Sequence, residues 1–333
     1  MILEDIGFYT LSDWRVARAN SQSPLWRCEL VITDKCNFKC PYCRGVREDC
    51  RGNMDFQAAK NVVLAWGIEG LRNIRFSGGE PTLDWTFLKI LIRLAREVGV
   101  ERVALSTNGS ASLGTYMEFI GDGLNDISIS LDACCAGTGK TMSGGKDMWD
   151  KVIKNIEALA KLTYVTVGIV ITKDNLAEAQ ETILLAHRLG VQDIRIIPAA
   201  QYSSHLAKLE LPDDVLKEHP ILKYRIENSR RGHPIRGIGP DDFGHCPLVL
   251  DDMAVAGAGG HGGLKHFPCI IYFREKGEPI GEFDPSNIRK VRQERADWAV
   301  THDCSRDPIC SKNCLDVCVE YNNAWIRKRA EIK

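Results

Sequence analysis

Between residue 28 and about residue 200 the sequence alternates six times between a short run rich in Ile and Val and a longer amphipathic run. No other feature constrains the fold as tightly. The short runs are CELVIT (28–33), NIRFS (73–77), RVALS (102–106), DISISL (126–131), TYVTVGIVIT (163–172) and DIRIIP (193–198). Polar or Gly residues bound most of them, as they bound the buried strands of a parallel sheet. Between the second and third, TLDWTFLKILIRLAREVGV sets Leu88, Leu91, Ile92, Ala95 and Val98 on one helical face, with Asp84 placed to cap the start. Six strand–helix units require a parallel sheet with crossover helices. The expected fold is α/β, a partial (β/α)6 TIM-like barrel with a small C-terminal cysteine-rich metal-binding domain.

Three segments follow from this pattern: an N-terminal extension (1–27), the (β/α)6 core (28–235) and the cysteine-rich part (236–333). Past residue 235 the alternation stops, and stretches such as AGAGGHGGLKHFPC bring in Gly, His and Cys. A net charge of -1 offers no basic field for nucleic acid. No apolar run reaches membrane-spanning length, and the acidic start MILEDIGFYTLSDW lacks the basic opening of a signal peptide. These features predict a cytoplasmic protein with neither nucleic-acid nor membrane partners.

Thirteen cysteines in a reducing compartment point to metal binding or chemistry rather than disulfides. They fall into two groups. Cys36, Cys40 and Cys43 sit in CNFKCPYC, just after the first strand. Cys246, Cys269, Cys304, Cys310, Cys314 and Cys318 lie in the C-terminal part. Three close thiolates suit zinc or an iron–sulfur cluster. A fourth ligand from Cys50 would close a zinc site, whereas three thiols on a four-iron cluster leave one iron open. Cys28 leads a strand and reads as core. The strand ends carry further polar residues: Gly78, Gly79 and Glu80; Thr107, Asn108 and Gly109; and Asp132 through Cys135. In parallel α/β folds that edge holds the chemistry.

CNFKCPYC, then FSGGEP, STNG and SISLD in order on successive strands, resembles the radical S-adenosylmethionine (SAM) superfamily over roughly residues 28–200. The resemblance implies that Cys36, Cys40 and Cys43 ligate a [4Fe–4S] cluster whose fourth iron takes SAM. It implies that Tyr42 contacts the adenine, and that Gly78, Gly79 and Glu80 receive the methionine amino group largely through backbone. Ser106, Thr107, Asn108 and Ser130 sit where family members bind ribose or carboxylate. The C-terminal cysteines are similar to the SPASM/twitch auxiliary domains, with three departures: Thr301 and Leu264 stand where the longer motif has Cys and Gly, and no cysteine follows Cys318 in this sequence. Six cysteines suffice for one closed auxiliary [4Fe–4S] cluster but not for two. A four-cysteine zinc site is the alternative there. His261 and His266 read as surface or hydrogen-bonding residues.

The function implied is reductive cleavage of SAM to a 5′-deoxyadenosyl radical, which abstracts hydrogen from a C–H bond of a peptide (oxidation, cross-linking or epimerisation). The same chemistry on a small molecule (sugar, aminoglycoside precursor or nucleotide) is the alternative, and a zinc-stabilised non-enzymatic binding protein is a third. An external electron donor such as flavodoxin or ferredoxin is implied as partner. Cys134 and Cys135 are candidate hydrogen-atom donors at the catalytic edge, weighed against simple loop residues. Arg195, Asp251 and Asp252 are polar pocket candidates with no motif behind them.

Overall fold

The computed structural model describes residues 19–199, 209–232, 244–259 and 263–314. Cys318 and His261 lie outside the described residues. The six anticipated strands are present as β1 (Arg27–Thr33), β2 (Asn73–Gly78), β3 (Arg102–Thr107), β4 (Asp126–Ser130), β5 (Tyr164–Ile171) and β6 (Asp193–Pro198). They pair in parallel and in chain order. Helices follow the strands: α1 (Phe56–Ile68), α2 (Trp85–Glu97), α3 (Leu113–Gly121), α4 (Ala136–Met142), α5 (Trp149–Leu159) and α6 (Ala179–Arg188). The Asp84 carboxylate accepts from the Phe87 N–H at 3.2 Å and so caps α2. Leu88, Leu91, Ile92 and Ala95 are buried along that helix. The architecture is a mostly parallel α/β partial barrel.

The two faces of the sheet differ, as the period-two geometry of a strand allows. Ile127 and Ile129 join the apolar core, while Ser128 and Ser130 line a cavity on the other face. In β6, Ile194 and Ile196 take the core side, and Arg195 and Ile197 the cavity side. Cys28 is fully buried in the same core as Leu30, Ile74 and Phe76. Burying each large aliphatic side chain there contributes about 1.5–3 kcal/mol.

Beyond β6 come α7 (Asp213–Glu218) and α8 (Pro220–Arg230), then β7 (Asp252–Ala256), β8 (Lys265–Phe267) and β9 (Gly281–Glu282). β7 pairs in parallel with the free edge of β1, and β8 and β9 add antiparallel strands. One sheet of nine strands therefore runs β6-β5-β4-β3-β2-β1-β7-β8-β9. The change of composition near residue 235 marks no end of this sheet. The remaining helices are α9 (Ile270–Arg274), α10 (Ile288–Thr301) and α11 (Cys310–Asn313).

Helix α10 docks through buried arginines. Arg295 is fully buried and donates to the carbonyls of Val249 (3.0 Å), Phe267 (2.9 Å), Pro268 (3.1 Å) and Asp252. Arg292 bonds the Glu69 carboxylate at 3.0 Å and the Ser23 carbonyl at 2.7 Å. These bonds satisfy backbone carbonyls that burial would otherwise leave unpaired.

Candidate active site and two cysteine centres

The loop after β1 carries Cys36, Cys40 and Cys43, and all three line one cavity of about 290 Å³ at the C-terminal ends of the strands. Neighbouring turns hold the loop. The Lys39 N–H donates to the Ser143 carbonyl at 3.0 Å. Asn37 Nδ2 donates to Ser110 Oγ, and Asn108 Nδ2 to Asn37 Oδ1, both at 2.8 Å. Gly144, at φ 71, packs against the Lys39 carbonyl so closely that a Cβ would collide with it. Cys50 lies elsewhere, buried beside Val31, Val46 and Phe267. The front donor set therefore stays at three thiols. That fits a cluster with one open iron better than a closed four-ligand zinc site. Burial pushes the Cys40 thiol up to about 12, with nearby Asp132 adding to the effect. A coordinated metal cation reverses that balance and holds the thiolate.

Gly78 and Gly79 line the cavity beside the thiols. Gly78 has φ 150, and its missing Cβ is what lets the strand end lie against the backbone of Thr33. Glu80 does not line the cavity. It is fully buried, and its backbone N–H donates to the Lys35 carbonyl at 2.7 Å. Its carboxylate accepts from Thr82 Oγ1 (2.6 Å), the Thr82 N–H (3.1 Å), Thr107 Oγ1 (2.8 Å) and the Asn108 N–H (2.6 Å). Desolvation raises the Glu80 pKa even so, with these donors opposing. Its place in the site is to brace the turn that presents Thr107 and Asn108, because no carboxylate atom is left facing the cavity.

Ser106, Thr107, Asn108, Ser130 and Tyr42 all line the same cavity. The Tyr42 hydroxyl donates to Asp132, whose other oxygen accepts the Val170 N–H at 2.7 Å. Burial lifts Asp132 to about 6, against the pull of those two donors. Cys134 and Cys135 are not among the lining residues. Their thiols turn instead toward Glu178 Oε2, at 3.4 and 3.8 Å.

A second cavity, of about 160 Å³, is lined by Cys246, Cys269, Cys304, Cys310 and Cys314. Five of the six C-terminal cysteines are thus brought together. Burial pushes the Cys269 thiol up to about 12, with Cys310 and Cys246 near enough to add to it. A hydrogen bond with Cys304 raises the Cys310 thiol, and burial adds to it. The imidazole of His302 lies within 4.8 Å of the Cys304 and Cys310 thiols, stacked on Trp298. Sequence reasoning missed this histidine. Its signal was position: His302 follows Thr301, the residue that stands in place of a motif cysteine. His266 is fully buried and bonds Glu294 and Arg295, away from both thiol sets.

The two cavities share Arg195 and Ile197. The second cavity is also lined by Arg27, Arg75, Arg195 and Arg225 and by the acids Glu29 and Asp252. Asp252 pairs with Arg27 at 2.5 Å, Arg75 with Asp126 at 3.5 Å, and Arg195 bonds Ser128. Asp251 is buried outside both linings, and its carbonyl accepts the Trp26 N–H at 2.8 Å.

The family model for the radical SAM superfamily matches residues 30–186. Among curated proteins, the chain is 30% identical over 198 residues to a probable GTP 3′,8-cyclase of Sulfurisphaera tokodaii, covering 57% of this chain and 63% of that one. It is 34% identical over 143 residues to a GTP 3′,8-cyclase of Psychromonas ingrahamii, covering 42% of each. The chain thus spans less than two thirds of the length of these relatives. Among solved structures, anSMEcpe with bound AdoMet superposes with a TM-score of 0.58 at 15% identity, over 92% of this chain and 100% of that one. SuiB of Streptococcus suis bound to S-adenosylmethionine gives 0.57 at 13% identity, over 89% and 77%. At such identities these two likenesses speak for the fold alone.

Proposed function

Because this chain carries a radical SAM domain over residues 30–186, we propose that it cleaves SAM reductively and uses the resulting radical on an anionic small molecule held in the lumen. The observation that carries the substrate reading is that Arg195 and Ile197 line both cavities, with Arg27, Arg75 and Arg225 also lining the second. Guanidinium groups at a cavity wall suit a phosphate or carboxylate, which they can bind bidentately. The naming of the sequence relatives as GTP 3′,8-cyclases supports a nucleotide-like ligand. Peptide modification, the first expectation from sequence, draws on the fold shared with SuiB, one structure of which holds the precursor peptide SuiA. That likeness is one of fold, and the naming of the sequence relatives favours the small molecule.

Cys36, Cys40 and Cys43 would hold the SAM-binding [4Fe–4S] cluster, and the C-terminal thiols with His302 beside them would hold an auxiliary one. When bound, the first cluster and SAM supply a 5′-deoxyadenosyl radical at the expense of one electron from an external donor. The chain's own part is orientation and exclusion of water. Gly78 and Gly79, beside the three thiols, would present backbone to the bound SAM. Glu80 fixes the Thr107–Asn108 turn, and Asp132 fixes Tyr42. Arg195 and Arg75 orient the anionic end of the substrate below.

The test is anaerobic turnover of reconstituted enzyme with SAM, a low-potential reductant and a panel of nucleotides, phosphorylated sugars and short peptides. Substrate-dependent 5′-deoxyadenosine is expected with anionic small molecules, and to fall in Arg195→Leu without loss of SAM binding. Stimulation by peptides only would reject the substrate reading. A colourless protein that holds zinc and no iron would reject the chemistry itself.

A further inference from the structure

Cys134 and Cys135 were singled out by the sequence, yet their thiols turn away from the catalytic cavity. They meet Glu178, which comes from a different part of the chain, the short 3₁₀ turn Leu176–Glu178 at the start of α6. The two Sγ atoms and a Glu178 oxygen all lie within 4.8 Å of one another. We propose that Cys134, Cys135 and Glu178 form a binding site for a single thiophilic divalent cation, Zn²⁺, at the rim of the barrel, separate from both iron–sulfur centres.

The distances carry the argument. A tetrahedral zinc with Zn–S near 2.3 Å and Zn–O near 2.1 Å sets sulfur and oxygen about 3.6 Å apart. The observed Sγ···Oε2 separations, 3.4 Å to Cys134 and 3.8 Å to Cys135, straddle that value. The donor set also selects the ion. Two thiolates and one carboxylate suit zinc, whereas calcium and magnesium need oxygen ligands throughout. Three protein ligands leave a fourth position for water.

The site is held in shape by bonds that do not depend on the ion. Thr138 Oγ1 donates to Glu178 Oε1 at 2.8 Å and so fixes the carboxylate rotamer. Hydrogen bonding to a ligating carboxylate is the usual support of a metal ligand. Asn175 Nδ2 donates at 2.8 Å to the carbonyls of both Asp132 and Val170, which locks the 172–178 turn against the β4 end that carries the two cysteines. Cys135 is exposed, and Cys134 and Glu178 are half-buried, so an ion reaches the site from solvent. Burial pushes the Cys134 thiol up to about 11, and the Glu178 carboxylate opposes its ionisation further. A bound dication removes that opposition. It would also cross-link the loop that carries Asp132, and through it Tyr42, to α6.

The experiment uses the anaerobically reconstituted holoenzyme, equilibrated with zinc alone and passed through metal-free buffer. Zinc and iron are counted by mass spectrometry, and the zinc shell is read by X-ray absorption. The expected result is one retained zinc with two sulfur and two light-atom neighbours. The double variant Cys134→Ser/Cys135→Ser loses it at unchanged iron content, and Glu178→Gln weakens it by roughly tenfold or more. An all-sulfur shell would place the zinc at the auxiliary thiols instead and overturn the proposal. Retention of the zinc in the double variant, or no retained zinc in the wild type, overturns it equally.

Discussion

Arg274 donates from its guanidinium to the Gly78 carbonyl at 2.8 Å. Helix α9, which ends in Arg274, is capped at its start by Cys269, a member of the second thiol set. The two cysteine centres are thereby mechanically joined: a five-residue helix runs from one to the strand end that serves the other. Arg47 and Lys276 reinforce the same junction, through the Gly277 carbonyl at 2.6 Å and the Val46 carbonyl at 2.7 Å.

Replacing Arg274 by Met keeps bulk but removes the donor to Gly78. A hydrogen bond to a charged group contributes about 1.5–3 kcal/mol. SAM affinity is therefore expected to fall roughly tenfold or more, with iron content intact. Anaerobic equilibrium titration of SAM measures this, and an unchanged dissociation constant would show that the junction does not shape the SAM end.

Glu80 predicts a stability effect at a residue that does not face the cavity. Glu80→Ala leaves the Asn108 N–H and the Thr82 and Thr107 groups without their acceptor. Each stranded buried donor costs about 1–3 kcal/mol. Denaturant unfolding under anaerobic conditions should show a loss of at least about 2 kcal/mol, with Glu80→Gln losing less because one oxygen remains. Equal midpoints for wild type and the alanine variant would contradict the bracing role.

Gly144 acts on the front thiols from a distance. Gly144→Ala adds a Cβ that meets the Lys39 carbonyl, at a backbone conformation L-residues disfavour. The loop carrying Cys40 must shift, and strain of this kind costs about 1–3 kcal/mol. The expected outcome is a reduced electron-paramagnetic signal of the SAM-binding cluster with the auxiliary signal preserved. A proportionate loss of both signals would indicate general misfolding instead.

Asp193 supplies a pH dependence away from either thiol set. Burial raises it from 3.8 to about 7, although the Ile194 and Ile221 N–H groups donate to it. The folded state therefore favours the protonated carboxyl. Its stabilising contribution is complete below about pH 4 and is lost as pH rises to about 7, with a slope of at most about 1.4 kcal/mol per pH unit. Asp193→Asn abolishes this component. Unfolding midpoints between pH 5 and 8 should fall more steeply in the wild type than in the variant, and parallel curves would count against it.

Six strands were legible because Ile and Val runs alternate with helical periodicity, and the front thiols because their spacing falls on a strand end. The lumen was less legible. Arg75 and Arg195 interrupt apolar strands, and sequence alone does not say which face of a curled sheet is solvent-lined. Asp252 illustrates the same limit, since its pairing with Arg27 depends on β7 lying beside β1. The resemblance carried by FSGGEP puts Glu80 at the SAM end largely through backbone, and says nothing of its carboxylate. Its side chain is turned inward by Thr82 and Thr107, a choice set by tertiary packing. His302 escaped notice because a lone histidine beside a cysteine carries no periodic signal.

The parallel pairing of β1 with β7 joins strands whose paired residues Arg27 and Asp252 are 225 positions apart. In the nascent chain the front cysteine loop leaves the ribosome with one edge of β1 bare, and it stays bare until β7 has been made. Contacts of such separation form late, since chain entropy must be overcome first. An order of maturation follows. The front cysteine loop is synthesised first, and closure of the sheet by β7 later covers that edge of β1 and places the strand that precedes Cys269.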